Sequence, residues 1–148
     1  MIHIEEPLGF VPDFEAVGIF PEVGDKILQL LRAPDRKWGS PAGKIEGKEN
    51  ALTAAIRELK EETGIIVSGK QLQFVQKYFV EYPVTKFTYA VFRLPFLYAP
   101  EIVLSYEHVA YTWIPVNFAS SLDLMMDQLE CIKLVYNLSK PIIEQASM

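Results

Sequence analysis

The stretch from Gly43 to Ile65, GKIEGKENALTAAIRELKEETGI, constrains this chain more than any other part of it. Asn50 can cap a helix N-terminus, Ala, Leu, Ile, Glu, Lys and Arg fill the positions up to Thr63, and Gly64 is a stop signal, so the spacing predicts a helix over Asn50 to Thr63. At about 100° per residue, Glu58, Glu61 and Glu62 share one face, while Leu52, Ala55, Ile56 and Leu59 share another. One side suits a core and the other is acid. Clustered carboxylates repel one another, so a cation is expected between them. Hard oxygen ligands select Mg²⁺ or Mn²⁺, and Mg²⁺ commonly combines a few carboxylates with substrate phosphates and water. Ala51 and Ala54 beside the acid face leave room for a metal and its phosphate chain, and Gly43 permits backbone angles and close approaches denied to other residues. Arg57 is placed to pair with Glu49 and brace the loop against the helix. The competing reading is a solvated helix face, the commoner origin of a Glu-Glu pair standing alone.

The rest of the chain supplies the frame. Phe14 to Phe20 and Lys26 to Leu31 read as strands of a hairpin around turn chemistry at Pro21 to Asp25. Ala33 to Lys48 is too rich in breakers for a regular element. Leu72 to Glu81 and Lys86 to Leu94 read as strands flanking Tyr82-Pro83-Val84-Thr85, and Tyr111 to Val116 as a short one. From Ser121 to Leu138 apolar residues recur at spacings near three and four, predicting a second amphipathic helix. Strands on both sides of one helix, with another helix at the end, argue an α+β or α/β layered domain with a mixed sheet. The 148 residues suit a single domain, 1–148. A net charge of -5 disfavours binding along extended nucleic acid. Cys131 is the sole cysteine and makes no internal disulfide. The start of the chain lacks the pattern of a secretory signal, and no apolar run approaches the roughly 20 residues of a membrane span, so a cytoplasmic protein without membrane contact is expected.

Gly43, Glu49, Arg57, Glu58, Leu59, Glu61, Glu62, Gly64 and Ile65 fit the pattern GX5EX7REUXEEXGU, with U aliphatic, and so resemble the Nudix box without departure. The resemblance implies a Nudix α/β/α sandwich. It also implies that Glu58, Glu61 and Glu62 hold Mg²⁺ or Mn²⁺, with the backbone carbonyl of Ala42 as an additional ligand. The implied reaction is hydrolysis of a phosphoanhydride bond in a nucleoside diphosphate linked to another group, with Glu58, Glu61 and Arg57 in the catalytic machinery. Glu107 is the preferred glutamate outside the box, and which carboxylate acts as base stays open. His108 reads as a surface or hydrogen-bonded residue. Substrate contacts are assigned to Trp38, Lys44 and Tyr82; stacking on a nucleobase is the reason for Trp38, Tyr78 or Tyr82 to matter, and core packing is the alternative for each. Tyr82, 17 residues beyond Ile65, and the Leu104 to Trp113 stretch resemble the diadenosine polyphosphate hydrolase branch. A dinucleoside polyphosphate, with adenine preferred, or a (d)NTP is therefore expected. Pro83 keeps an ADP-ribose or nucleotide-sugar pyrophosphatase as an alternative, and a nucleotide-binding module without turnover is another. The apolar C-terminal helix leaves an interaction protein or a homodimer open.

Overall fold

The computed structural model describes residues 1–138. Eight strands form one mixed sheet: β1 (Ile2–His3), β2 (Phe14–Val23), β3 (Lys26–Arg32), β4 (Trp38–Gly39), β5 (Ala42–Lys44), β6 (Gln73–Glu81), β7 (Lys86–Phe96) and β8 (His108–Pro115). The order is β1-β6-β7-β2-β3-β4, with β5 also paired to β2 and β8 to β3. Among these strands only β2 and β7 pair in parallel, in an unbroken ten-residue register from Phe14↔Phe87 to Val23↔Phe96.

Strand alternation sends successive side chains of this central pair to opposite faces. Val17, Ile19, Ala90, Phe92 and Leu94 point to one face, where α1 (Ala51–Thr63) covers them with Ala54, Ala55 and Leu59. Phe20 and Val91 point to the other, against Cys131 and Ile132 of α2 (Gln128–Tyr136). The expected α/β/α sandwich is thus the fold, and the expected mixed sheet is its middle layer. No helix among the described residues is long and apolar enough to cross a membrane.

Local chemistry explains α1. The Asn50 side chain accepts from Thr53 N–H at 2.8 Å, and Gly64 at φ 75 closes the helix in the left-handed conformation that glycine adopts without strain. Its buried face is turned by one residue from expectation. Ala54 is fully buried while Leu52 lies 36% exposed, because the short side chains of Ala54 and Ala55 let the helix close on β2 and β5. Ala54 therefore packs in the core rather than opening space for a metal.

Three other expectations are corrected. The first strand runs through Pro21 and turns only at Gly24-Asp25. Ile19 N–H donates to the Pro41 carbonyl, so the Pro21 nitrogen, two residues on, faces the same side, where β5 has left β2 and β3 has not yet joined it at Glu22. A proline costs no ladder bond there. The Ala33 to Lys48 loop contains β4 and β5, made strands by the edges of β3 and β2 rather than by their own propensity. The second helix begins at Gln128, not Ser121. Val116–Ser121 forms a 3-10 segment instead, and Asp127 at φ 62 interrupts the backbone before α2.

The Pro21 gap is a fork in the sheet. Along one edge, β2 pairs with β5 over Ala16–Gly18 and with β3 over Glu22–Val23, and the two partners diverge between. The β3 limb continues into β4 and β8, the β5 limb ends the sheet on that side, and β7, β6 and β1 follow from the opposite edge of β2.

Candidate active site

A cavity of about 730 Å³ opens at this fork. Gly39, Ser40, Ala42, Gly43 and Lys44 line it from the diverging segments, Tyr82 from the turn after β6, Phe87 and Tyr89 from β7, and Asp127, Gln128 and Cys131 from α2 and its approach. Gly18 makes part of this space. A Cβ there would overlap the Tyr89 hydroxyl, so only glycine lets the phenol cross the strand.

Glu62, Glu107 and His108 come together at one part of the cavity, each offering a ligand atom within 4.8 Å of the others. Glu62 stands on the last turn of α1, 6% exposed, and its Oε1 accepts from the Ala42 N–H at 2.7 Å. Burial pushes its carboxyl up to about 8; the Ala42 N–H opposes this, and the nearby charges of Glu58, Glu107 and Glu61 add to it. His108 Nε2 lies 3.7 Å from Glu62 Oε2, and its buried Nδ1 has no hydrogen-bond partner. Burial lowers the imidazole pKa, which favours the neutral ring that can act as a ligand. A buried carboxyl whose charge only a cation would offset, a second carboxylate and an imidazole form a donor set suited to a divalent cation.

The three box glutamates do not converge on one point. Glu58 lies flat against Gly43, where an added Cβ would overlap its carboxyl carbon. Gly43 itself sits in β5 without a left-handed φ, so its absent side chain matters and its dihedral freedom does not. Arg57 Nη1 donates to Glu58 at 2.8 Å and to the exposed Glu61 at 3.3 Å. Its Nε and Nη2 grip Glu49 at 2.7 and 2.9 Å, and Nη2 also donates to the Lys44 carbonyl at 3.0 Å. The guanidinium thus ties the loop to the helix, and the bonded Arg57 holds the Glu49 carboxyl down at about 2.

Of the residues assigned to substrate, Lys44 and Tyr82 line the cavity. The Lys44 ammonium sits 4.3 Å from the centre of the Phe14 ring. Trp38 is not among the lining residues. Alternation turns it away from its neighbour Gly39, which does line the cavity, and Trp38 instead pairs with Leu31 and bridges Leu124. Tyr78 packs in the α2-side core, 3% exposed. His108 was legible only as a neighbour of Glu107. Asp127 and Gln128 carried no signal, because the continuous apolar periodicity from Ser121 concealed the break before α2.

The NUDIX domain family model matches residues 12–134. Dihydroneopterin triphosphate diphosphatase from Escherichia coli K12 is 32% identical over 120 residues, covering 72% of this chain and 79% of that protein. The asymmetrical bis(5'-nucleosyl)-tetraphosphatase of Mus musculus is 33% identical over 118 residues, covering 70% and 76%. Among solved structures, the E. coli dihydroneopterin triphosphate pyrophosphohydrolase superposes with a TM-score of 0.70 at 28% identity, covering 83% of this chain and 95% of that one. A bifunctional NMN adenylyltransferase/ADP ribose pyrophosphatase from Francisella tularensis, complexed with AMP and a Mn ion, gives 0.72 at 26% identity, covering 88% of this chain and 43% of that one.

Proposed function

The chain belongs to the NUDIX domain family and is a hydrolase of pyrophosphate bonds in nucleotides, and from that premise we propose that it cuts a chain of three or more phosphates, in a nucleoside triphosphate or a dinucleoside polyphosphate. The observation that carries this reading is the meeting of Glu62, Glu107 and His108 in a cavity that also holds Lys44 and the rings of Tyr82, Phe87 and Tyr89. Both relatives named above are described as acting on such phosphate chains.

Glu62, with Glu58 and Glu61 as further carboxylates and the Ala42 carbonyl and His108 beside them, would hold Mg²⁺ or Mn²⁺. A bound ion of this kind neutralises phosphate oxygens and lowers the pKa of a water poised for in-line attack. The protein's own residues do the rest. Lys44 meets the phosphate chain with a positive charge. Glu107, exposed at the mouth, accepts the proton of the attacking water. Arg57 holds Glu49, Glu58 and the Lys44 carbonyl in register, and so acts by position. Tyr82 and Phe87 offer ring faces to a base.

The test is a product-resolved hydrolysis screen with Mg²⁺ and Mn²⁺ over nucleoside triphosphates, dinucleoside tetraphosphates, ADP-ribose and nucleotide sugars. Turnover of the first two groups is expected to lead in kcat/KM. A wide preference for ADP-ribose overturns the substrate reading and leaves the hydrolase intact; nucleotide binding without any product overturns catalysis.

A further inference from the structure

Tyr82 and Tyr89 both line the cavity, and their two hydroxyls differ. That of Tyr82 is bonded to Asp127. That of Tyr89 makes no hydrogen bond among the described residues, although a tyrosine packed into an interior ordinarily finds a partner for its hydroxyl. The Tyr89 side chain is partly exposed, and the space it faces is the cavity. A ligand in that space can supply the missing acceptor.

The ladders fix where the hydroxyl stands. Tyr89 on β7 pairs with Ala16 on β2, and from there its ring runs along the strand until the hydroxyl lies over Gly18, in the place a Cβ would take. A glycine inside a strand weakens it and often marks such a close approach. Gly18 is in turn the ladder partner of Ala42 on β5, about 5 Å across. Ala42 is the residue whose N–H holds Glu62. The hydroxyl therefore stands beside the anchor of the acidic cluster, with Tyr82 also near enough to act on it.

Its chemistry is that of a donor. Burial first, and then the neighbouring Cys131, Glu62 and Tyr82, hold the phenol well above its ordinary 10, so it keeps its proton at neutral pH. The oxygens of a nucleotide phosphate only accept, and a donor beside the acidic cluster complements them.

We propose that the Tyr89 hydroxyl donates to a non-bridging oxygen of the phosphate attached to the nucleoside, and so holds that phosphate between the acidic cluster and the aromatic wall. This rests on the polyphosphate-hydrolase reading and adds a substrate-binding residue to it. Non-bridging oxygens keep their bonds to phosphorus throughout hydrolysis, so the contact is present in substrate, transition state and nucleotide product alike. An interaction of that kind sets KM rather than kcat.

Tyr89→Phe removes one oxygen and keeps the ring. The variant is expected to raise KM for nucleoside triphosphates about tenfold with kcat within about threefold of wild type. In calorimetry with Mg²⁺ it should bind AMP and GMP about tenfold more weakly, while adenosine and guanosine stay within about twofold. A ring that mattered only for packing would weaken nucleosides and monophosphates together. That equal loss overturns the proposal, as do an unchanged KM, a fall in kcat alone, or a wild-type protein that binds neither monophosphate. Should the variant not fold, wild-type protein carrying ¹³Cζ-labelled tyrosine decides: the Tyr89 signal must move with a monophosphate and stay with its nucleoside. Turnover with an unaffected variant sinks the hydrogen bond alone, whereas monophosphate binding that depends on the hydroxyl, in a protein that cuts no polyphosphate, sinks the hydrolase reading alone.

Discussion

At the scale of single residues, Glu62 shows how a site can work against the fold that carries it. Its carboxyl lies at about 8 in the metal-free protein against an ordinary 4.5, so the folded state binds the proton more tightly than the unfolded chain. The stability this group allows is full below 4.5 and is lost as pH rises towards 8, at about 1.4 kcal/mol for each pH unit crossed between those two values. Glu62→Gln keeps the shape without the charge. In EDTA at pH 8 the variant should melt above wild type, while its turnover with Mn²⁺ falls by at least about a hundredfold. Melting curves and steady-state rates check both halves, and a variant that melts lower and turns over normally rejects the assignment. This opposition was invisible in the sequence. There Glu62 is one of three equivalent acids, and only the Ala42 N–H and the α1 packing make it the buried one.

At the scale of elements, the loop before α1 is held by one side chain. Arg57 reaches Glu49, Glu58 and the Lys44 carbonyl at once, a planar arrangement that an ammonium cannot copy. Arg57→Lys should therefore raise the Mn²⁺ concentration for half-maximal rate by about tenfold and leave the rate at saturating metal closer to wild type. A metal titration at fixed substrate checks it, and an unchanged midpoint rejects the brace. Because Glu49 is held at about 2, well below its ordinary 4.5, the brace is intact above 4.5 and weakens as pH falls towards 2. Glu49→Gln should flatten the acid limb of a pH-stability curve over that interval. Much of this element was legible, since caps, spacing and residue type all agree from Asn50 to Gly64 and need no distant partner. The short strands were not, because β4 and β5 exist only where β3 and β2 offer them an edge. The break at Asp127 was hidden for the opposite reason. Leu122, Met125 and Met126 continue an apolar rhythm that the backbone does not follow.

At the scale of the whole molecule, α2 is anchored to the sheet far from the cavity's acidic cluster. Glu22 on β2, 6% exposed, takes both arms of Arg93 on β7 at 2.5 and 3.0 Å and a hydrogen bond from the Tyr136 hydroxyl of α2, while Arg93 lies over the Tyr136 ring. Removing one partner strands a buried charge. Arg93→Met should cost about 3–5 kcal/mol of unfolding free energy, with Glu22→Gln restoring much of it in the double variant, as urea denaturation will show. Layer order and the parallel centre follow from periodicities spread along the chain, whereas this triad joins residues up to 114 positions apart that no local pattern links. The fork in the sheet has a mechanical consequence. Among the described residues β2 pairs with β3 only at Glu22↔Ile27 and Val23↔Lys26, a short ladder that would serve as a hinge for two jaws. Glu107 and His108 ride on the β3–β8 jaw; Glu62, bonded to Ala42, rides with the β2–β5 jaw. A cation held by Glu62 and His108 would be a clasp across the opening. Loading Mn²⁺ should slow amide exchange in β5 and at the start of β8 together, and stripping it should let the jaws breathe.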